Sequence, residues 1–186
     1  MRALLAAIAA GPGALQLRDK DLDAAHRLRR ARRLIGPCRD RGVKLLVNAR
    51  VDVAVAAGCD GVHLPGDGLP PVEARRLLPA GGLVGRSVHG EDELDVAVEA
   101  DFLFFGPVFD TPSKRAFGEP QGVARLARLC ARAGRPVLAV GGIDASRVPE
   151  VIRAGAAGVA VIGAVLDAPD PGAVVGDLAA ALAAAR

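Results

Sequence analysis

PVLAVGGIDA, residues 136–145, and GVAVIG, residues 158–163, decide the fold. Pro136–Val140 is a short apolar run, and it ends in Gly141 and Gly142, which reads as a buried strand running into a tight turn. Asp144 then stands before Ala145 as a helix start. An Ala/Arg/Val pattern of helical period continues to Ala154, and Gly155 follows as a stop signal. A second apolar run, Gly158–Ile162, comes next and also ends in glycine, Gly163. Two strands joined by a helix form a parallel βαβ crossover, because a tight hairpin can only join antiparallel strands.

The same alternation runs back along the whole chain. Strands are expected near Ala14–Arg18, Val43–Asn48, Gly61–Leu64, Leu83–Val88, Phe102–Gly106, Pro136–Val140 and Gly158–Ile162. Helices are expected over Ala24–Ile35, Val51–Ala57, Val72–Leu78, Glu91–Glu99, Gly122–Ala133 and Ala145–Ala154, with a terminal helix over Ala179–Ala185. Strand alternating with helix gives a parallel sheet, either open or closed into a barrel. No GxGxxG follows the first strand, so a dinucleotide fold has no support. Polar residues gather at the strands' C-terminal ends: Gln16, Arg18, Asn48, His63 and Ser87. In a βα-barrel those ends form the mouth of the active site. The expectation is therefore an α/β, TIM-type (β/α)8 barrel in one domain, residues 1–186, lacking its first strand. The chain opens in a helical stretch, MRALLAAIAA, where a barrel would offer a strand, and its 186 residues fall below the ~200 usual for the fold. A start codon assigned too late would explain the shortfall, and so would a barrel that closes imperfectly. An open edge invites association.

Composition removes several classes of function. No apolar run reaches the roughly 18 residues of a membrane span without a charge or a Gly/Pro break. The N-terminal apolar stretch is short and leads directly into QLRDK, so it reads as a helix rather than a signal peptide. Cys38, Cys59 and Cys130 are odd in number and form no CxxC, which fits reduced thiols in a cytoplasmic protein. The net charge is only +3. The arginines at 27, 29, 30, 32 and 33 lack aromatic stacking partners in a chain with no Trp and no Tyr, so they read as a solvated helix face and not as a nucleic-acid site.

Four stretches carry chemistry. In the first, Gly141 and Gly142, with Ile162 and Gly163 on the next strand's end, offer close-approaching backbone and helix-start N–H groups, an arrangement that suits a phosphate. Loops after the last two strands of βα-barrels commonly bind phosphate. In LQLRDK, Gln16, Arg18 and Lys20 alternate and so share a face if the strand continues; two cations there call for an anion. FGPVFDTPSKR, residues 105–115, opens from a strand into a polar loop bearing Thr111, Ser113 and Lys114. The chain has only three lysines, Lys20, Lys44 and Lys114, and two fall in these stretches. A compact ammonium is not interchangeable with a guanidinium at a phosphate. In GRSVHG, residues 85–90, Ser87 and His89 share a face, and His89 is the acid–base candidate. His63, inside a strand, reads as a core histidine, and His26 as a surface one.

These motifs, in this order from about Leu15 to Val165, resemble the thiamine phosphate synthase/TenI superfamily: QLRDK, LLVNARVDVAVAAGCDGVHLP, VGRSVH, FGPVFDTPSK, PVLAVGGI and GVAVIG. The resemblance implies thiamine biosynthesis and a thiazole phosphate as ligand, with neither nucleic acid nor membrane as partner; an open sheet edge and the family's habit also admit a homodimer. Two activities are implied. Synthases join a pyrimidine methyl diphosphate to a thiazole phosphate and release diphosphate with magnesium. TenI-type tautomerases shift a proton on a thiazole carboxylate phosphate and require no cofactor. In synthases the positions matching Gln16, Arg18, Lys20, Asn48 and Lys114 grip the diphosphate substrate, and the glycine pair with the last strand's end binds the thiazole phosphate.

The departures from the pattern separate the two. The synthase motif after the third strand is Asn-Asp, and here it is Asn48-Ala49. A second magnesium carboxylate is expected near Gly68, where Asp67 is the adjacent acid. On these grounds the leading expectation is a tautomerase with His89 and Lys114 as catalytic residues. A synthase using magnesium at Asp67 is the alternative, and a non-catalytic thiazole or thiamine phosphate binder is the third reading. The tautomerase pattern has its own gap: a histidine expected after the glycine of the sixth barrel strand is Pro107, and a proton shift then needs His89, Asp67 or Asp110 as the titratable group in its place.

Overall fold

In the computed structural model, residues 1–19, 21–112 and 119–186 are described. Seven strands run in chain order: β1 (Ala14–Leu17), β2 (Lys44–Asn48), β3 (Gly61–Leu64), β4 (Leu83–Val88), β5 (Phe102–Phe105), β6 (Val137–Val140) and β7 (Gly158–Ala160). Every neighbouring pair is parallel, and sheet order equals chain order, from β1 at one end to β7 at the other. Helices α1 (Arg2–Ala9), α2 (Ala24–Asp40), α3 (Val51–Ala57), α4 (Pro71–Leu77), α5 (Gly122–Ala133), α6 (Val148–Arg153), α7 (Gly163–Leu166) and α8 (Pro171–Ala184) cover its outer face. This is a TIM-like α/β architecture that stops one strand short. Among the described residues β1 and β7 are the two edges and do not pair with each other.

Strand alternation divides the sheet into two faces. Outward residues such as Leu17, Leu45, Val47, Val62 and Val84 pack on Leu34 and Ala31 of α2 and on α3 and α4. Leu103, Phe105, Val137 and Ala139 pack on Leu126 and Leu129 of α5, Val151 of α6 and Val175 of α8. α1 spans both clusters, with Ala7 in one and Ile8 in the other. The inward residues are less covered in β5 and β6, where only every second residue, the outward one, is fully buried, whereas Leu46 of β2 and His63 of β3 are buried on the inward side as well. Among the described residues no helix is long and apolar enough to cross a membrane. All three cysteines are free thiols.

Four expected helices differ in extent, and of the one expected over Ala145–Ala154 only Val148–Arg153 is α-helix, Ala145–Arg147 being a 3-10 turn. α2 runs on to Asp40 through Pro37, because its Leu34 and Cys38 stay on the buried stripe. The terminal helix starts earlier, at Pro171, where the Asp170 carboxylate caps the Ala173 N–H. The expected helix over Glu91–Glu99 is instead two single 3-10 turns, Glu91–Glu93 and Asp95–Ala97. Like charges at Glu91 and Asp95, four apart, disfavour an α-helix there. In addition, arginines take the carbonyls that such a helix would use: Arg135 bonds the Ala100 oxygen at 3.1 Å and also those of Ala97 and Val98, and Arg75 bonds that of Glu99 at 3.2 Å.

Candidate active site

The C-terminal ends of the strands form one rim, and most of the expected residues lie on it. β1 stops at Leu17, so the expected strand does not continue through Lys20. Gln16 is half-buried, and its buried Nε2 has no partner among the described residues. Arg18 is exposed at the rim. Asp19 turns away to Arg30 at 2.9 Å. Lys20, Ser113 and Lys114 lie outside the described residues, so their expected roles have no structural description.

β2 ends at Asn48, and Ala49 follows with φ +62. A left-handed conformation is costly for a residue bearing a Cβ, and Ala lacks the side-chain oxygen that lets Asn or Asp occupy it. The turn is held by the Ala49 N–H donating to the His63 carbonyl at 2.9 Å and the Arg50 N–H donating to that of Asn48 at 2.7 Å. The next acid, Asp52, is forked by Arg50, and that hydrogen bonding holds its carboxyl below the usual range.

His63 is a core histidine, as expected, and it also reaches the interior of the mouth. It is 4% exposed, and its ring lies 4.2 Å from that of Phe104. Its Nε2 is 3.3 Å from Ser87 Oγ, and its Nδ1 has no partner among the described residues. Burial, followed by the nearby Arg18 charge, pushes its pKa down to about 4. The imidazole is therefore neutral at pH 7 and acts as a fixed partner for Ser87.

His89 lies outside this interior. Its ring is exposed, with Nδ1 3.5 Å from Glu93, whose carboxylate also accepts the His89 N–H at 3.1 Å. It packs over Gly66: a Cβ on that glycine would come within 3.0 Å of its Cε1. The neighbour of Gly66, Asp67, is exposed at the apex of the turn after β3. The turn is tight, with the Gly68 N–H donating to the Pro65 carbonyl at 2.9 Å. Sequence reasoning passed over Arg86, which faces outward from β4 and is 7% exposed. Its guanidinium donates to the Gly66 carbonyl at 2.7 Å and to that of Leu69 at 3.1 Å. Only its position in a strand otherwise facing helices hinted that it had such a task.

At the far side of the rim, the glycine pair has a reason of its own. Gly141 and Gly142 have φ +93 and +65. A Cβ on Gly141 would sit 2.5 Å from Pro107 Cβ, and one on Gly142 would sit 2.6 Å from the Asp110 carbonyl. The close approach is thus first of all to the chain's own loop after β5, whose Val108 and Phe109 N–H groups bond the carbonyls of Val140 and Gly141. Arg147 ties the two loops together, stacking 4.6 Å over Phe109 and bonding the Gly142 carbonyl. The helix start after the pair corrects the expectation of open N–H groups: those of Ser146 and Arg147 are taken by the Asp144 carboxylate. Among the described residues the N–H groups of Gly142 and Ile143 are not engaged, and the turn at Ile162 and Gly163 is exposed. Asp167 folds back on this turn, so that a Cβ on Gly163 would meet its Oδ2 at 2.9 Å. Thr111 lies on the loop after β5, half-buried.

Magnesium is usually held by one or two carboxylates plus substrate phosphates. Among the described residues no three His, Cys, Asp or Glu side chains gather to hold a metal. Asp67 is one available carboxylate, while Asp52 is committed to Arg50 and position 49 is Ala. This donor set fits an ion shared with a diphosphate, not a cage made by protein alone.

Similarity to known proteins follows the same lines. The family described as thiamine monophosphate synthase matches residues 1–165. A putative thiamine-phosphate synthase of Geobacter sulfurreducens is 48% identical over 167 residues, which is 89% of this chain and 78% of the relative. A thiamine-phosphate synthase of Methanoculleus marisnigri is 44% identical over 186 residues, 98% of this chain and 88% of that one. The solved thiamine phosphate pyrophosphorylase from Pyrococcus furiosus superposes with a TM-score of 0.90 at 29% identity, covering 99% of this chain and 89% of its own. These relatives carry the synthase name, the second of the expected activities, and give no specific support to the tautomerase. By sequence match and by fold, the chain belongs to the thiamine monophosphate synthase family.

Proposed function

We propose that this chain is a thiamine-phosphate synthase, a transferase that joins a pyrimidine methyl diphosphate to a thiazole phosphate and releases diphosphate. The observation that carries this reading is identity of 40% or more to named synthases across nearly the whole chain. A second observation agrees with it. A proton shift needs a titratable group in reach of the substrate. The residue after the β5 glycine is Pro107, and the exposed ring of His89 has Glu93 as its partner at 3.5 Å. The synthase reading assigns His89 no acid–base role.

The proposed roles follow position. Arg18, Asn48 and the unpartnered Nε2 of Gln16 sit on adjacent strand ends and bind the diphosphate oxygens, and Lys20, Thr111, Ser113 and Lys114 bind the same group. Ser87, held by the neutral ring of His63, presents its hydroxyl toward the pyrimidine side. The amides of Gly142, Ile143 and Gly163 bind the thiazole phosphate, and the Asp167 carboxylate swings aside when it does. A magnesium ion bound at Asp67 would supply positive charge to the departing diphosphate. The same reading makes it a cytoplasmic protein.

The test is to incubate the protein with both substrates and magnesium chloride and to follow thiamine phosphate. Formation that stops when a chelator is added is the expected result. Isomerisation of the thiazole in chelator, with no thiamine phosphate formed from the pair, would restore the tautomerase.

A further inference from the structure

We infer that Arg86 is a positioning residue for Asp67, a role that rests on the reading of Asp67 as the metal-bearing carboxylate. The two carbonyls that Arg86 binds, those of Gly66 at 2.7 Å and Leu69 at 3.1 Å, bracket Asp67 in the chain. Asp67 itself is exposed at the apex of the turn, and its turn is otherwise pinned by one backbone bond, Gly68 N–H to Pro65 O. Arg86 is 7% exposed, forms no ion pair among the described residues, and keeps a buried Nε without a partner. Burying an unpaired guanidinium is expensive, and an aliphatic side chain at this outward-facing strand position would pack at lower cost. What the arginine adds is a rigid planar fork that can hold two carbonyls at a fixed spacing. The strand is the rigid element and the turn the soft one, so the fork transmits the position of β4 to the Asp67 carboxylate. Partners that orient a metal ligand typically change metal affinity by about 10–100-fold when removed.

The probe is magnesium chloride with inorganic diphosphate, read as thermal stabilisation of the protein, with thiamine phosphate formation measured in parallel. Arg86→Met should raise the magnesium concentration needed for half-maximal stabilisation by about tenfold or more. It should raise the concentration needed for half-maximal turnover by a similar factor, while the unfolding midpoint without ligand moves far less. Asp67→Asn alone should abolish the magnesium-dependent part of the shift, and the double variant should be no worse than Asp67→Asn. If Asp67→Asn leaves the magnesium response intact, the reading of Asp67 fails and takes this inference with it. If Asp67→Asn has its effect but Arg86→Met leaves the magnesium response unchanged, or the two effects add, the clamp alone is refuted. Arg86→Lys, which keeps the charge but can reach only one carbonyl, guards against a Met variant that fails to fold. It should fall between wild type and Arg86→Met, and a response equal to wild type would also refute the clamp.

Discussion

Replacing His63 tests the interior of the mouth through stability alone. Its pKa stands at about 4 in the folded protein against 6.5 for a free imidazole. Above the unfolded value neither state carries the proton, so the group contributes no pH dependence there. As the pH falls below 6.5, the unfolded chain takes up the proton first, and the native state loses stability until the folded value is passed near pH 4. Working the two titrations through, the loss between about pH 7.5 and about pH 5.0 is roughly 2 kcal/mol from this one group, and the full loss roughly 3 kcal/mol. Carboxylates add their own slopes, so the quantity to measure is a difference of differences. Urea unfolding of wild type and of His63→Gln at the two pH values gives it, with slopes checked to ensure that both unfold in two states. Wild type should lose about 2 kcal/mol more than the variant. A difference under about 0.5 kcal/mol would mean that the imidazole is not desolvated as its 4% exposure implies.

Two further substitutions test the rim. Ala49→Gly should stabilise by up to about 1 kcal/mol, since it relieves a left-handed alanine at φ +62, and an unchanged or lower melting temperature would show that the turn is not strained. Gly141→Ala must both leave φ +93 and displace Pro107 from 2.5 Å, so it should destabilise by about 2 kcal/mol or more in denaturant titration; a neutral outcome would mean that the two loops are not in contact.

The fold was legible where patterning is local. The seven strands come within a residue or two of their expected places, because each apolar run is bracketed by glycine or by a helix start. The segment Glu91–Glu99 was misread because its composition suits a helix, whereas Arg75 and Arg135, distant in sequence, bind its carbonyls. Glycine identity signalled a special backbone at Gly141 and Gly142 but not its cause, which is the loop from β5 lying against them. Ala49 gave no signal at all, since nothing in the residue type announces a positive φ.

Sequence alone determined the βα alternation, the parallel sheet, the set of polar residues at the strand ends and the family, because periodicity, strand-end position and motif order are properties of the chain itself. Tertiary structure decided what each polar residue faces. It turned His63 inward onto Ser87 and His89 outward onto Glu93, although both stand at the ends of neighbouring strands. It also committed the Arg86 fork to the Asp67 turn. Those choices depend on which neighbour completes a hydrogen bond or excludes water, and the neighbour is brought there only by folding.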